Sequence, residues 1–310
     1  MNPLRPRQSD RAIVLIMTVL VLSILALLGY AFSYGAGVNV AAARNSREAA
    51  RLDAGAQSAL AWACSLLRQP AGVSRAPDTL NDAWNSPGLQ VTVGEDLFTL
   101  RIVDEDRKLN LNRAARRPAD ESQLDLREPL RRLVAAAGGT DDDAAALRAW
   151  VDPDTAGRGD ATAPKVPIPV IGALAAIPNL DRRLLTGAED RTSLYELLST
   201  HPRAININTA ADLVLDSIWS AAGIAQTIRD RRASQSFASS EEVDVFLKTL
   251  MAPELAAAYT PLFAVRSDYF SVRVTPAAGG AGRGLDALVR RNGAVVELIS
   301  VSPISKEDNL

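Results

Sequence analysis

Cysteine and histidine are almost absent from this chain of 310 residues, with one of each, Cys64 and His201. A single cysteine excludes an internal disulfide framework and any zinc site built from several cysteines. A single histidine argues against His-rich metal sites and against most Ser-His-Asp or Cys-His catalytic sets. His201 precedes Pro202 in a loop with nothing beside it to pair with, so a surface position is expected. Aromatic residues make up only 5% of the chain, which argues against a base-stacking or sugar-stacking surface. Net charge is −2, so no global electrostatic argument points to nucleic acid. No phosphate loop, nucleophile elbow or zinc spacing occurs, and no catalytic set emerges. With 47% hydrophobic residues the chain buries a core, and wholesale disorder is excluded.

What is present is a local extreme. No charged residue occurs from Ala12 to Ala43, and Ile13–Phe32 is nearly all Ile, Val, Leu, Ala and Met. As a helix such a run spans roughly 30 Å, the hydrocarbon thickness of a bilayer. Arg5, Arg7 and Arg11 precede it, offset only by Asp10, so the positive-inside rule keeps the first dozen residues cytoplasmic. A cleaved secretory signal ending near Ala41-Ala42-Ala43 is the competing reading. Its apolar region would be about 7–15 residues, shorter than this one. A buried core helix is a second competitor, and the uncharged length and basic flank disfavour it. Beyond the run, Ala49, Leu52, Ala56, Ala59, Ala63 and Leu66 recur at helical spacing and form one shallow apolar stripe. Gly35 and Gly37 lie between the two halves, where glycine weakens a helix.

After Pro70, strand patterns cover Leu89–Val93 and Leu97–Val103 around a Gly94-Glu95-Asp96 turn. Asp104 to Asn112 then reads as a solvated acidic turn leading into a short alternating strand, Leu109-Asn110-Leu111-Asn112. Helical stretches separated by Pro/Gly loops fill Arg113 to about Phe263, with Asp141-Asp142-Asp143 and Ser239 at two helix starts. Strands resume at Tyr269–Thr275, Leu285–Arg291 and Ala294–Val301, the last two joined at Asn292-Gly293. Strands on both sides of a helical block imply one sheet with the block inserted into it.

Two segments invite chemistry. Ala149-Trp150-Val151-Asp152-Pro153-Asp154, followed by Asp160, places carboxylates on a loop where oxygen ligands suit calcium. The alternative is a helix end at Pro153 with solvated acids. Ala204-Ile205-Asn206-Ile207-Asn208-Thr209-Ala210 reads as a short strand, a cap and a pair of helices, ending in Arg229-Asp230-Arg231-Arg232. This segment is similar to helix-hairpin-helix modules, some of which bind DNA phosphates through hairpin amides. The hairpin here, Trp219 to Ile224, has one glycine where such amides need close approach, so a structural role is expected.

Taken in order, these features resemble the K-type minor pseudopilins of type II secretion systems, which belong to the type IV pilin-like proteins. The resemblance rests on the basic leader and apolar helix, the acidic turn with Lys108-Leu109-Asn110-Leu111-Asn112, the Trp150-Val151-Asp152-Pro153-Asp154 segment and the Ile205 to Ala210 lead-in. It implies an α+β fold: a long N-terminal helix, transmembrane then amphipathic, packed on an antiparallel pilin-like sheet with a large all-α insertion. The implied divisions are a cytoplasmic basic leader over 1–12 and the transmembrane half of the helix over 13–33. The first part of the pilin-like body covers 34–112, the inserted helical domain 113–265 with its helix-hairpin-helix-like part at 204–248, and the C-terminal strands 266–304.

The resemblance further implies prepilin peptidase cleavage between Ala12 and Ile13, with Met17 at the fifth mature position where most pilins carry glutamate. K-type subunits lack that glutamate. The implied role is structural rather than enzymatic: priming or capping a periplasmic pseudopilus tip for protein export. The implied partners are I-type and J-type minor pseudopilins and the inner-membrane secretion platform, with no nucleic acid. The implied location is the inner membrane, single-pass, with the bulk of the chain periplasmic. No cofactor is required; calcium at Asp152, Asp154 and Asp160 is the one implied by the family. A membrane-anchored DNA-uptake protein is the alternative reading. A periplasmic enzyme built on Asp152 and Asp154 is a further rival, for which no base is evident.

Overall fold

The computed structural model describes residues 8–68, 76–118, 123–152, 166–187, 191–219, 223–277 and 284–304, with side chains from Ile13 onward. It divides into two compact units, Met1–Gly55 and Ala56–Leu310.

Helix α1 runs Gln8–Leu67. In the first unit its apolar side chains face outward, Phe32 at 80% exposure and Leu27 at 72% among them. This stretch is long and apolar enough to cross a membrane, and none of its most apolar window is buried, unlike a core helix. Its two hydroxyls are satisfied within the helix: Thr18 Oγ1 donates to the Leu15 carbonyl and Ser23 Oγ to that of Val19, both at 2.8 Å. The helix continues through Gly35 and Gly37. A helix-interior glycine costs about 1 kcal/mol relative to alanine, too little to break so long a helix.

The second unit begins with the last turns of α1, where Ala56, Ala59 and Ala63 are fully buried beside Leu60. The stripe ends on Leu67 rather than Leu66. Next come strands β1 (Gln90–Val93) and β2 (Asp96–Asp104), joined by the two-residue turn Gly94-Glu95. A 3-10 turn, Glu105–Arg107, leads to β3 (Leu109–Asn110) and directly into the short helix α2 (Leu111–Ala114). The expected alternating strand over Leu109 to Asn112 therefore stops halfway. The Asn110 side chain accepts from the Arg113 amide at 2.9 Å, which caps a helical turn in place of a further strand residue.

The inserted block follows as α3 (Arg127–Ala136), α4 (Asp141–Val151), α5 (Arg183–Thr186), α6 (Leu194–Leu197), β4 (Leu198–Ser199) and β5 (Ile205–Asn206). It continues as α7 (Asp212–Ile218), α8 (Ile224–Ser234), α9 (Ser240–Leu250), α10 (Pro253–Tyr259) and β6 (Phe263–Ala264). The acids Asp141-Asp142-Asp143 open α4 as expected, where Thr140 and Asp143 also form a capping box, and the expected cap Ser239 accepts at its Oγ from the Glu242 amide on α9. Leu130, Leu133, Leu147, Ile207, Val214, Ile228, Phe237 and Leu247 belong to the core of this block.

Strands β7 (Tyr269–Pro276), β8 (Leu285–Asn292) and β9 (Val295–Pro303) complete a five-stranded antiparallel sheet in the order β1-β2-β7-β8-β9. Adjacent β2 and β7 are in register from Phe98 opposite Pro276 to Asp104 opposite Phe270. The chain thus leaves the sheet at Asp104 and re-enters beside it at Phe270, with the whole helical block between. Phe98, Leu100, Ile102, Phe270, Val272, Val274, Ala287 and Val289 form one buried face. None of them belongs to the helical block's core, so the unit has a second core on the sheet. Two short parallel pairs, β3 with β4 and β5 with β6, tie the block to the chain just after it leaves the sheet and just before it returns.

Candidate functional site

The chain crosses from sheet to insertion through the segment that read as a solvated acidic turn, and the structure reverses that reading. Asp104 is 1% exposed, Glu105 5%, Asp106 6% and Lys108 6%. Carboxylates tolerate burial only when hydrogen bonds or opposite charges replace water, and each one here has partners. Lys108 Nζ bonds Glu105 Oε1 at 2.6 Å. Asp104 accepts from the Asp106 amide at 2.8 Å, from Ser267 Oγ at 2.6 Å and from Thr209 Oγ1 at 2.5 Å. Asp106 accepts from the amides of Asp268 and Tyr269 at 2.9 and 3.2 Å.

The same knot draws in residues from four further parts of the chain. Arg291 Nη2, at the end of β8, bonds Asp78 Oδ2 and the Ser267 carbonyl, each at 2.5 Å. Its guanidinium also lies 4.9 Å from the centre of the Phe270 ring. Asn206, fully buried, donates to the Asp78 carbonyl at 3.2 Å and to Ser267 Oγ at 2.8 Å. Asn208 pairs with Phe237 through both backbone groups, at 3.0 and 2.8 Å, and so pins the lead-in to the loop after α8. Asn206 and Thr209 of this segment thus join the insertion to the sheet side, while Asn208 fastens the segment within the insertion. Burial raises the Asp104 carboxyl to about 6, against the lowering effect of its hydroxyl and amide donors. Burial, and then the neighbouring charge of Asp104, hold Asp106 well above the usual carboxylate range.

The helix-hairpin-helix-like arginines are committed internally. Arg232 donates to the carbonyls of Ile207 and Ala210 and to Asp212, while Arg229 pairs with Asp216 at 2.8 Å. Arg231 pairs with Glu242 and the Gln235 carbonyl. Hairpin residues 220–222 lie outside the described residues. His201 is half-buried rather than on the surface, its Nδ1 within 2.9 Å of Thr200 Oγ1 and its ring 5.4 Å from that of Tyr269. Burial lowers its pKa, against the nearby charge of Glu105.

Of the three carboxylates of the calcium reading, Asp154 and Asp160 lie outside the described residues. Asp152 is not solvated: it is 4% exposed at the end of α4, its amide donating to the Arg148 carbonyl at 2.8 Å. Among the described residues no group of three or more His, Cys, Asp or Glu side chains is placed to hold a metal. Ala12 lies in the first turns of α1, outside the described side chains; Ile13 and Met17 are exposed on the same helix, at 56% and 63%.

Sequence reading missed Asp78, Ser267 and Arg291. A signal existed for Arg291, which falls in phase with inward-facing Ala287 and Val289, and Asp104 likewise continues Phe98, Leu100 and Ile102. A charge at an inward strand position demands a buried partner. For Asp78, in a Pro/Asn/Ser stretch, no such pattern existed.

The sheet's buried face also runs past its cover. Val301 stands opposite buried Ala287, and Leu298 opposite buried Val289, yet they are 42% and 55% exposed. Val295 and Ile299 of the same edge strand are exposed as well.

The sequence matches no protein-family model and no curated protein. In three dimensions the chain is similar to one chain of the crystal structure of the GspK-GspI-GspJ complex from the enterotoxigenic Escherichia coli type 2 secretion system. The TM-score is 0.63 at 17% identity, covering 86% of this chain and 99% of that one. The protein thus has a GspK-like, pilin-like fold, with a long apolar helix, a five-stranded antiparallel sheet and an inserted helical block, as the resemblance to K-type pseudopilins implies.

Proposed function

We propose that the protein is a structural minor pseudopilin of a type II secretion system, placed at the tip of a periplasmic pseudopilus. The observation that carries this reading is the near-complete structural likeness to a chain of a complex of three such subunits. An apolar helix surface exposed from Ile13 to Val40 supports it, because that surface needs either lipid or other apolar helices around it. Arg5, Arg7 and Arg11 favour a cytoplasmic amino terminus and a periplasmic body, with the inner membrane as anchor.

In this reading prepilin peptidase cuts between Ala12 and Ile13. Mature helices pack side by side in the membrane and leave it as a bundle, each apolar stretch covering another. Met17 offers no carboxylate to a neighbour's terminal amine, so the subunit needs no partner above it, and the bulky insertion blocks further stacking. Both properties suit a tip position. I-type and J-type minor pseudopilins are the partners, seated on the secretion platform. The uncovered apolar row of β9, Leu298 and Val301, is the surface offered to a neighbouring pilin-like subunit.

Calcium belongs to the proposal as a stabiliser of the segment that follows α4. Asp152, Asp154 and Asp160 would supply hard oxygen ligands there, with no role in any reaction. Sequencing the amino terminus of the protein from its native membrane tests the processing step. Chains starting at Ile13 are expected; chains retaining the leader contradict it.

A further inference from the structure

The joint between sheet and insertion holds more acid than base. Four buried carboxylates, Asp78, Asp104, Glu105 and Asp106, meet two buried cations, Lys108 and Arg291. Arg291 is committed to Asp78 and Lys108 to Glu105. Asp104 and Asp106 accept only from hydroxyls and backbone amides, and among the described residues no cation hydrogen-bonds to either. The groups facing them from each packed element are the Glu105–Lys108 pair of their own turn and the Asp78–Arg291 pair of the preceding loop and β8. Asp268 faces them from the loop before β7, and from the insertion, among the described residues, come the neutral side chains of Asn206 and Thr209, with His201 close to the charge of Glu105. Arg107 and Arg266 flank the cluster in sequence.

We propose that this joint is an acid-fastened lock, in which a proton taken up by Asp104 and Asp106 together tightens the hold of the sheet on the insertion, and its loss loosens it. Uptake of one proton by the pair is favoured because two neighbouring buried carboxylates that hydrogen-bond to no cation resist ionising together. Asp104 is the pivot, since it alone holds hydroxyls from both sides of the joint, Thr209 of the insertion and Ser267 of the returning chain. The direction follows from its raised pKa. The folded joint binds a proton more tightly than the open one, so the added stability is full below about pH 4 and is lost as pH rises through about 6.

Hydrogen exchange of the full chain in detergent micelles, corrected for the intrinsic pH dependence of exchange, reads the lock directly. Amides of Asn206 to Ala210 and of Ser267 to Tyr269 are expected to lose about tenfold in protection between pH 5 and pH 8. The amides around the Gly94-Glu95 turn, at the far end of β2 from Asp104, are expected to stay unchanged. Asp104→Asn, neutral at every pH, flattens the dependence. Because that variant also alters hydrogen bonding, infrared difference spectra of the wild type supply a second reading: a protonated carboxyl band that appears as pH falls through about 6. Protection independent of pH in the wild type, full pH dependence retained in Asp104→Asn, or no carboxyl band near that pH would each overturn the lock.

Discussion

Arg291 and Asp78 form an ion pair whose side chains are each only 3% exposed, linking the end of β8 to the loop ahead of β1. Removing one partner of a buried pair strands the other charge away from water. Arg291→Met is therefore expected to cost about 3–5 kcal/mol in denaturant unfolding of the detergent-solubilised chain, and Asp78→Asn/Arg291→Met to recover much of it. A loss below 1 kcal/mol for Arg291→Met would mean that the pair does not hold the joint.

Arg232 tests the nucleic-acid alternative. Its bonds to Ile207, Ala210 and Asp212 make it a clamp on the lead-in to α7. Arg232→Met is expected to lower stability by about 2–3 kcal/mol, since two buried carbonyls lose a charged donor. Retention on duplex DNA at low salt is expected to be negligible with or without the change. Salt-dependent retention that falls in the variant would support the DNA reading instead.

How much of this was legible in advance differs by region. The apolar helix, both hairpins and the starts of α4 and α9 follow from local rules, because Ile13–Phe32, Gly94, Asn292-Gly293, Asp141-Asp142-Asp143 and Ser239 act on their immediate neighbours. The joint was misread because its partners are far apart in sequence: Asp104 meets Thr209 and Ser267, and Asp78 meets Arg291. Viewed locally, Asp104-Glu105-Asp106 has the composition of a solvated turn. Only long-range donors make its burial tolerable, and composition does not reveal them. Leu111 and Asn112 were misassigned for a related reason: Asn112 exchanges hydrogen bonds with the backbone of Ile168, which no short window contains.

Calcium removal gives a further test. If Asp152, Asp154 and Asp160 hold the ion, a chelator is expected to lower the melting temperature by several degrees, with calcium but not magnesium restoring it. An unchanged melting temperature would remove calcium from the account.

Leu298 projects from the uncovered row of β9. Leu298→Arg is expected to leave the melting temperature within about one degree, as an exposed change does, while weakening association with partner subunits roughly tenfold or more. Unaltered association would place the interface elsewhere.

Membership of a minor-pseudopilin complex is read by co-purification. The full chain, expressed with I-type and J-type subunits of its own system and extracted in mild detergent, is expected to elute with both as one stable species. If the two partners assemble with each other while this chain elutes alone, the pseudopilus-tip account is contradicted.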